Sequence, residues 1–304
     1  MKTVLLTGAT GFLGSHLLES LLKNNYEVVV LKRSTSNTWR IDSLLKEVRV
    51  YDVDKQPLQK IFEENSIHTV IHMATLYRKA DDGVDVQEMI TSNVSFPASL
   101  IELGVKYGLK AFINTGTFFE CDCSVLPVTE QANTKAFNLY AKTKLAFDAI
   151  LTTYEKELSI VTLRLFSPYG EKDNYKLIPM LVKKALSGLK IELSDGLQKL
   201  DFIYSGDVVN ANLKVLEKLE ANEPLSKVYN IGFGKPLSVR DVVSILEQKL
   251  GRRLDVTWGA VSEYDIPCVW SDISRAKKDL GWEPEIDIYQ GLEYMLNYYM
   301  EESK

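Results

Sequence analysis

Tyr140 and Lys144 stand four residues apart in "FNLYAKTKLAF", within a pattern of apolar residues at helical spacing. Residues at i and i+4 share a helix face, so the two side chains sit side by side. A free phenol has a pKa of about 10 and is a poor proton donor or acceptor at neutral pH. An ammonium group beside it favours the phenolate, which lowers that pKa and yields a usable general acid or base. A tyrosine packed at a helix edge with a solvated lysine one turn on gives the same spacing. The elements around the pair have to decide between these readings.

A second constellation lies at the start of the chain. "TGATGFLG" places Gly8, Gly11 and Gly14 between an apolar run and a helical pattern. Glycines there permit a tight turn and let a pyrophosphate approach the backbone, while the helix N-terminus offers N–H groups and positive dipole. This placement predicts a dinucleotide site. The end of the second strand reports which dinucleotide: an acid there would bind the adenosine ribose, but "VVVLKRS" carries Lys32 and Arg33 instead. A guanidinium at that mouth pairs with a 2′-phosphate, so the expected cofactor is NADP(H).

The elements that must position these residues alternate through the first half. Apolar, β-branched runs at 3–7, 26–33, 48–53, 68–74, 110–116 and 159–166 are separated by helical patterns, including 57–65 and about 86–107. Such alternation predicts an α/β fold with a Rossmann-type, doubly wound parallel sheet covered by helices. Beyond residue 167 the segments become shorter and mixed, predicting a smaller C-terminal α+β substrate lobe. The expected division is 1–166 plus about 200–220 for the dinucleotide domain, and 167–199 with 221–304 for the second lobe.

The 304 residues are 45% hydrophobic and 25% charged with a net charge of −5, an ordinary soluble balance that argues against a nucleic-acid footprint. No signal peptide or membrane span is read, and three cysteines without a metal-ligand pattern suit a reducing, cytoplasmic setting. His16, His68 and His72 lack metal-ligand spacing and are expected to pack, so no metal site is predicted.

With the glycine loop, Tyr140 and Lys144 in order, the chain resembles an extended short-chain dehydrogenase/reductase of the NAD-dependent epimerase/dehydratase type. The resemblance runs through "YDVD", "HMAT", "SNVSFPASLIELGVKYGLKAFINTGT", "YAKTK", "LRLFSPYG", "LQKLDFIYSGDVVNA", "YNIGFGKPLSV" and "DISRAKKDLGWEP". It implies Tyr140 as general acid/base, Lys144 as its partner and ribose anchor, and Thr115 as the hydroxyl that bonds the reacting oxygen. It implies a cofactor set of Gly8, Thr10, Gly11, Phe12, Leu13, Gly14, Lys32, Arg33, Asp52, Val53, Met73, Ala74 and Thr75, joined by Tyr140 and Lys144. It also implies a homodimer built on helices at about 86–107 and 137–157.

Departures from the family pattern narrow the chemistry. Sugar-nucleotide dehydratases carry an acid just after the Ser/Thr, where this chain has Gly116 and Thr117; Glu120 comes three residues later. The 4-epimerases have Asn where this chain has Ser167, and Arg where it has Leu200. The substrate diphosphate is then expected to meet Lys176, Lys199 or Arg240, with Thr117 and Ser167 also in the substrate set. "FINTGTFFE" and "NLYAKTKLAFDAIL" resemble nucleotide-deoxysugar 4-ketoreductases of the CDP-abequose and CDP-paratose synthase type. The implied reaction is NADPH-dependent reduction of a 4-keto-6-deoxyhexose linked to a nucleotide diphosphate. The rival readings are a nucleotide-sugar 4-epimerase with bound cofactor and a non-catalytic NADP(H)-sensing protein.

Overall fold

A computed structural model of the chain describes residues 2–78, 83, 85–173, 176–261 and 266–302. In chain order the elements begin with β1 (Thr3–Thr7), α1 (Phe12–Lys23), β2 (Glu27–Lys32), β3 (Arg49–Asp52), α2 (Leu58–Glu64) and β4 (Ile67–His72). There follow α3 (Val86–Ile90), α4 (Phe96–Lys106), β5 (Ala111–Thr117), α5 (Leu139–Leu151), β6 (Ser159–Leu165) and β7 (Pro168–Tyr169). The remainder is α6 (Leu177–Ser187), β8 (Ile191–Leu193), β9 (Lys199–Leu200), β10 (Ile203–Tyr204), α7 (Ser205–Glu220) and β11 (Val228–Ile231). It closes with β12 (Leu237–Ser238), α8 (Val239–Leu250), β13 (Val256–Trp258), α9 (Ser274–Leu280) and α10 (Ile288–Glu302).

Seven strands form one sheet in the order β11-β6-β5-β4-β1-β2-β3. The pairings of β1 with β2 and β4, of β2 with β3 and of β4 with β5 are parallel. This is the α/β, Rossmann-type sheet that the alternating pattern predicts. All five residues of β1 are buried, as a strand covered on both faces requires. The strand order reverses between β1 and β4, and the carboxyl ends at such a switch point are where open α/β sheets bind ligands.

The chain divides into two compact units: 1–121, 133–164 and 211–229 in one, and 122–132, 165–210 and 230–304 in the other. Within 200–220 the short strand β10 pairs with β7, and the segment that joins the central sheet late in the chain is β11. The first unit packs Leu5, Val29, Val70, Leu100, Phe112 and Phe147 into one core. The second packs Tyr169, Leu181, Phe202, Leu246, Leu292 and Met295 into another. Each such side chain contributes about 1.5–3 kcal/mol by leaving water.

The single helix expected over 86–107 is three pieces. A π-helical turn, Thr91–Ser95, separates α3 from α4. Pro97 lies in the first turn of α4 and has no N–H to give to the carbonyl of residue 93, so an unbroken α-ladder cannot pass this point. The wide turn carries Asn93 into the interior, where it is 2% exposed. Among the described residues no helix is long and apolar enough to cross a membrane.

Candidate active site

The glycine loop closes onto β4. Gly8 has φ +74°, and a Cβ there would meet the Ala74 nitrogen at 2.6 Å and the Met73 carbonyl carbon at 2.7 Å. A Cβ on Gly14 would overlap the Gly8 carbonyl, which lets α1 approach the turn. The Met73 and Ala74 amides donate to the Thr7 carbonyl and hydroxyl at 3.3 and 3.2 Å. The residues predicted from "TGATGFLG" and those predicted from "HMAT" are therefore brought together. The N-cap of α1 is Gly11, with no side-chain cap bond, so its amides face the turn rather than a capping side chain. This backbone cradle fits a dinucleotide pyrophosphate.

The end of β2 is tied down by acids. Lys32 lies 3.6 Å from the Asp52 carboxylate, which also accepts from the Ser34 hydroxyl at 2.8 Å. That hydroxyl, the Asp54 amide and the lysines 32 and 55 hold the Asp52 carboxyl below the usual range. Val53 donates its amide to the Lys32 carbonyl at 2.9 Å, and Arg33 is exposed. A residue outside the predicted set touches the glycine loop. Arg40 donates to the Thr10 carbonyl at 3.2 Å and stacks over the Trp39 ring at 4.5 Å. Its place in the irregular stretch after β2 gave no periodic signal.

Tyr140 and Lys144 lie on α5, 7% and 3% exposed. Asn138 caps that helix by accepting from the Ala141 amide at 3.0 Å, and its side-chain amide donates to the Arg78 carbonyl at 3.2 Å. Asn93 holds the segment beyond β4: its Oδ1 accepts from the Leu76 amide at 2.7 Å and the Thr75 hydroxyl at 3.1 Å. Its Nδ2 donates to the Leu76 carbonyl at 3.0 Å and to Thr143 Oγ1 at 3.1 Å. Thr75 also hydrogen-bonds the Tyr140 phenol. Asn93 thus fixes the hydroxyl that meets the phenol, although "SNVSFP" offered only a family resemblance at that position.

Lys144 does not bring the phenol down, as the spacing alone suggested. Burial pushes the Tyr140 phenol up and the Glu120 charge adds to it, while the Thr75 bond opposes. Burial lowers Lys144, with the charges of Glu120 and Asp148 opposing. At 7% exposure the loss of phenolate hydration is the largest influence on the phenol. The chain by itself therefore holds Tyr140 as the protonated phenol. His72 is also buried; it meets Thr7 Oγ1 at 2.8 Å, and burial with the Lys144 charge holds it well below its ordinary value. It packs against Phe96, Phe112 and Phe147, as expected of a core histidine.

Thr115 is half-buried in β5. Thr117, expected at the substrate, is 7% exposed and its hydroxyl accepts from the Phe119 amide at 3.4 Å, capping a short 3-10 turn. An aromatic row flanks the phenol. Tyr77 stacks on Phe119 at 6.3 Å, and Phe119 on Phe137, 38% exposed, at 5.3 Å.

In the second unit Ser167 is half-buried, and Lys199, Arg240 and Lys176 are exposed. Lys199 pairs in register with Ser238 of β12, immediately before the helix that carries Arg240. Arg240 donates to the Asp195 carbonyl at 2.8 Å and stacks over Trp258 at 4.4 Å, whereas Lys176 is the N-cap of α6. Asp201 beside Leu200 is structural: it accepts from the Phe233, Gly234 and Ser271 amides and the Ser271 hydroxyl. Cys121 is buried and Cys123 and Cys268 are half-buried, and no group of three metal-ligating side chains occurs among the described residues.

Comparison with known proteins extends the resemblance to the whole chain. The profile of the NAD dependent epimerase/dehydratase family matches residues 4–232. CDP-abequose synthase of Salmonella muenchen is 30% identical over 301 residues, covering 97% of each chain. The crystal structure of UDP-glucose 4-epimerase from Thermotoga maritima, with UDP-glucose, superposes with a TM-score of 0.91 at 25% identity, covering 99% of this chain and 100% of that one. UDP-glucuronic acid 4-epimerase from Bacillus cereus, in complex with UDP-glucuronic acid and NAD, gives 0.88 at 28% identity, covering 98% and 99%. The glycine cradle on β4, the Tyr140–Lys144 helix and this full-length similarity have one explanation: the chain belongs to the NAD-dependent epimerase/dehydratase family, as an enzyme of the extended short-chain dehydrogenase/reductase type.

Proposed function

We propose that the protein is an NADPH-dependent reductase of a nucleotide-linked 4-keto-6-deoxyhexose. The observation that carries the reading is the similarity to CDP-abequose synthase along nearly the whole chain. Tyr140, buried on α5 one turn from Lys144, is the proton donor to the developing alkoxide in this reading. Similarity to CDP-abequose synthase supports the substrate class. The aromatic row of Tyr77, Phe119 and Phe137 offers an apolar wall suited to a deoxygenated carbon.

When bound, a dihydronicotinamide would supply the hydride for the sugar C4. The chain's own residues do the remainder. The glycine loop seats the pyrophosphate, and Lys144 holds the nicotinamide ribose. Thr115 hydrogen-bonds the C4 oxygen, and Tyr140 donates its proton to that oxygen as negative charge develops. Arg33 and Arg40 meet the 2′-phosphate, Lys32 being paired with Asp52. In the second unit Lys199 on β9, paired with Ser238, and Arg240 at the start of α8 meet the substrate diphosphate together with Ser167. A homodimer through α3, α4 and α5 is part of the proposal; Val86 and Ile90 are exposed on α3.

The similarity to UDP-sugar 4-epimerases keeps a second reading in view, that of a nucleotide-sugar 4-epimerase. Supplying CDP- and dTDP-linked 4-keto-6-deoxysugars and following NADPH absorbance, with NADH as control, separates the two. Stoichiometric NADPH loss with one substrate establishes the ketoreductase. Interconversion of UDP-sugars without net cofactor loss establishes the epimerase, and tight cofactor binding with neither leaves a sensor.

A further inference from the structure

One charged side chain in the first unit has no part in the reaction described above. Glu120 is 1% exposed. Its Oε1 accepts from the Thr117 amide at 2.9 Å, completing a capping box, while Oε2 is buried with no hydrogen-bond partner among the described residues. The turn needs one carboxylate oxygen; the other is unexplained.

The surroundings make room for that carboxyl. A Cβ on Gly116 would stand 3.5 Å from both Glu120 oxygens and 2.9 Å from Thr162 Cγ2, so glycine keeps the pocket open. The ionisable groups that face Glu120 are Lys144 and Asp148 on α5 and Arg164 on β6, and its charge also reaches Tyr140. Asp148 is held by Asn114 Nδ2 at 2.9 Å, which also donates to Thr162 Oγ1 at 3.3 Å. From β4, His72 faces Lys144 and is kept neutral by burial and that charge. The turn that carries Glu120 packs against α5, the helix of Tyr140 and Lys144.

We infer that Glu120 is a positioning residue for the Tyr140–Lys144 pair: its buried carboxylate is the counter-charge that retains Lys144 as ammonium and Tyr140 as phenol. The kinetic part of this inference rests on the reductase reading; the electrostatic part does not. Burial, aided by Asp148, pushes the Glu120 carboxyl up to about 7, against Lys144, Arg164 and the Thr117 amide. Glu120 therefore changes charge near neutral pH. As it ionises, it raises both Tyr140 and Lys144, so the proton donor stays loaded further into the alkaline range.

Glu120→Gln keeps an oxygen for the Thr117 amide and removes the charge. Carbon-labelled tyrosine NMR, with the Tyr140 signal assigned by its loss in Tyr140→Phe, reads the phenol without substrate. The phenol of Glu120→Gln should ionise at a pH lower by at least about half a unit. The alkaline limb of kcat/KM for ketone reduction should move by the same amount. An unchanged phenol titration overturns the inference, whereas absence of reductase activity with a shifted phenol overturns only the assigned reaction. Should Glu120→Gln not fold, the unaltered protein answers. Its Tyr140 signal should step near neutral pH as Glu120 titrates, and a flat signal there overturns the inference.

Discussion

The ring of Tyr77 stands edge-on to the ring of Tyr140, with centroids 5.0 Å apart and planes at 87°. The contact holds the phenol in one orientation at the end of the aromatic row, where its hydroxyl meets Thr75. Tyr140→Phe keeps this packing and removes only the transferable proton. Turnover should fall by about 10²–10⁴-fold. NADPH affinity, measured by fluorescence titration, should be nearly unchanged; substantial residual reduction would sink the acid role.

Arg33 and Arg40 give cofactor preference a measurable origin. A charge-assisted contact to a 2′-phosphate contributes about 1.5–3 kcal/mol, or about 10–100-fold in affinity. Arg40→Ala and Arg33→Ala should each weaken NADPH binding on this scale where they make the contact, with NADH binding little altered. Equal losses for both cofactors would show that the side chain supports the loop instead, through the Arg40 bond to the Thr10 carbonyl.

The Gly8 turn admits no side chain. Gly8→Ala places a Cβ 2.6 Å from the Ala74 nitrogen at φ +74°. The backbone strain alone costs about 1–3 kcal/mol. Denaturant unfolding should show at least that loss, and cofactor affinity should fall with it. Gly108 has φ +83° with nothing within 4 Å of its Cβ, so Gly108→Ala should show strain without the collision.

Asn93 should matter more than its distance from the chemistry suggests. Asn93→Ala leaves the Leu76 amide and carbonyl and the Thr143 hydroxyl short of a partner. A loss of about 1–3 kcal/mol is expected by chemical denaturation. Because Thr75 loses its anchor as well, kcat should fall further than the stability loss explains.

Stability should carry a pH signature of Glu120. Its folded-state carboxyl titrates at about 7 against an ordinary 4.5, so the folded chain binds this proton more tightly than the unfolded one. Its contribution is complete below 4.5 and is lost as pH rises through about 7. In Glu120→Gln that slope should vanish from calorimetric Tm values across the window. His72 acts with the opposite sign, since burial keeps it neutral and its contribution is lost as pH falls below 6.5.

Local pattern was enough to read the scaffold. Strands such as Thr3–Thr7 and Ser159–Leu165 lie where their apolar runs begin, because a parallel strand covered on both faces must be apolar throughout. Gly14 and the Tyr140–Lys144 pair were legible because each depends on contacts within a few residues, whereas the close approach of Met73 and Ala74 to Gly8 comes from the packed sheet. Tertiary structure alone decided the rest. The break at Thr91–Ser95 answers to a buried amide that reaches Leu76, the seventh strand is Val228–Ile231, and Arg40 comes back to Thr10 across thirty positions of chain. The proton state of Tyr140 was the largest revision. Spacing shows that an ammonium is near, but the hydration lost on burial and the carboxyl brought in from Glu120, which both push the phenol up, depend on the packed fold.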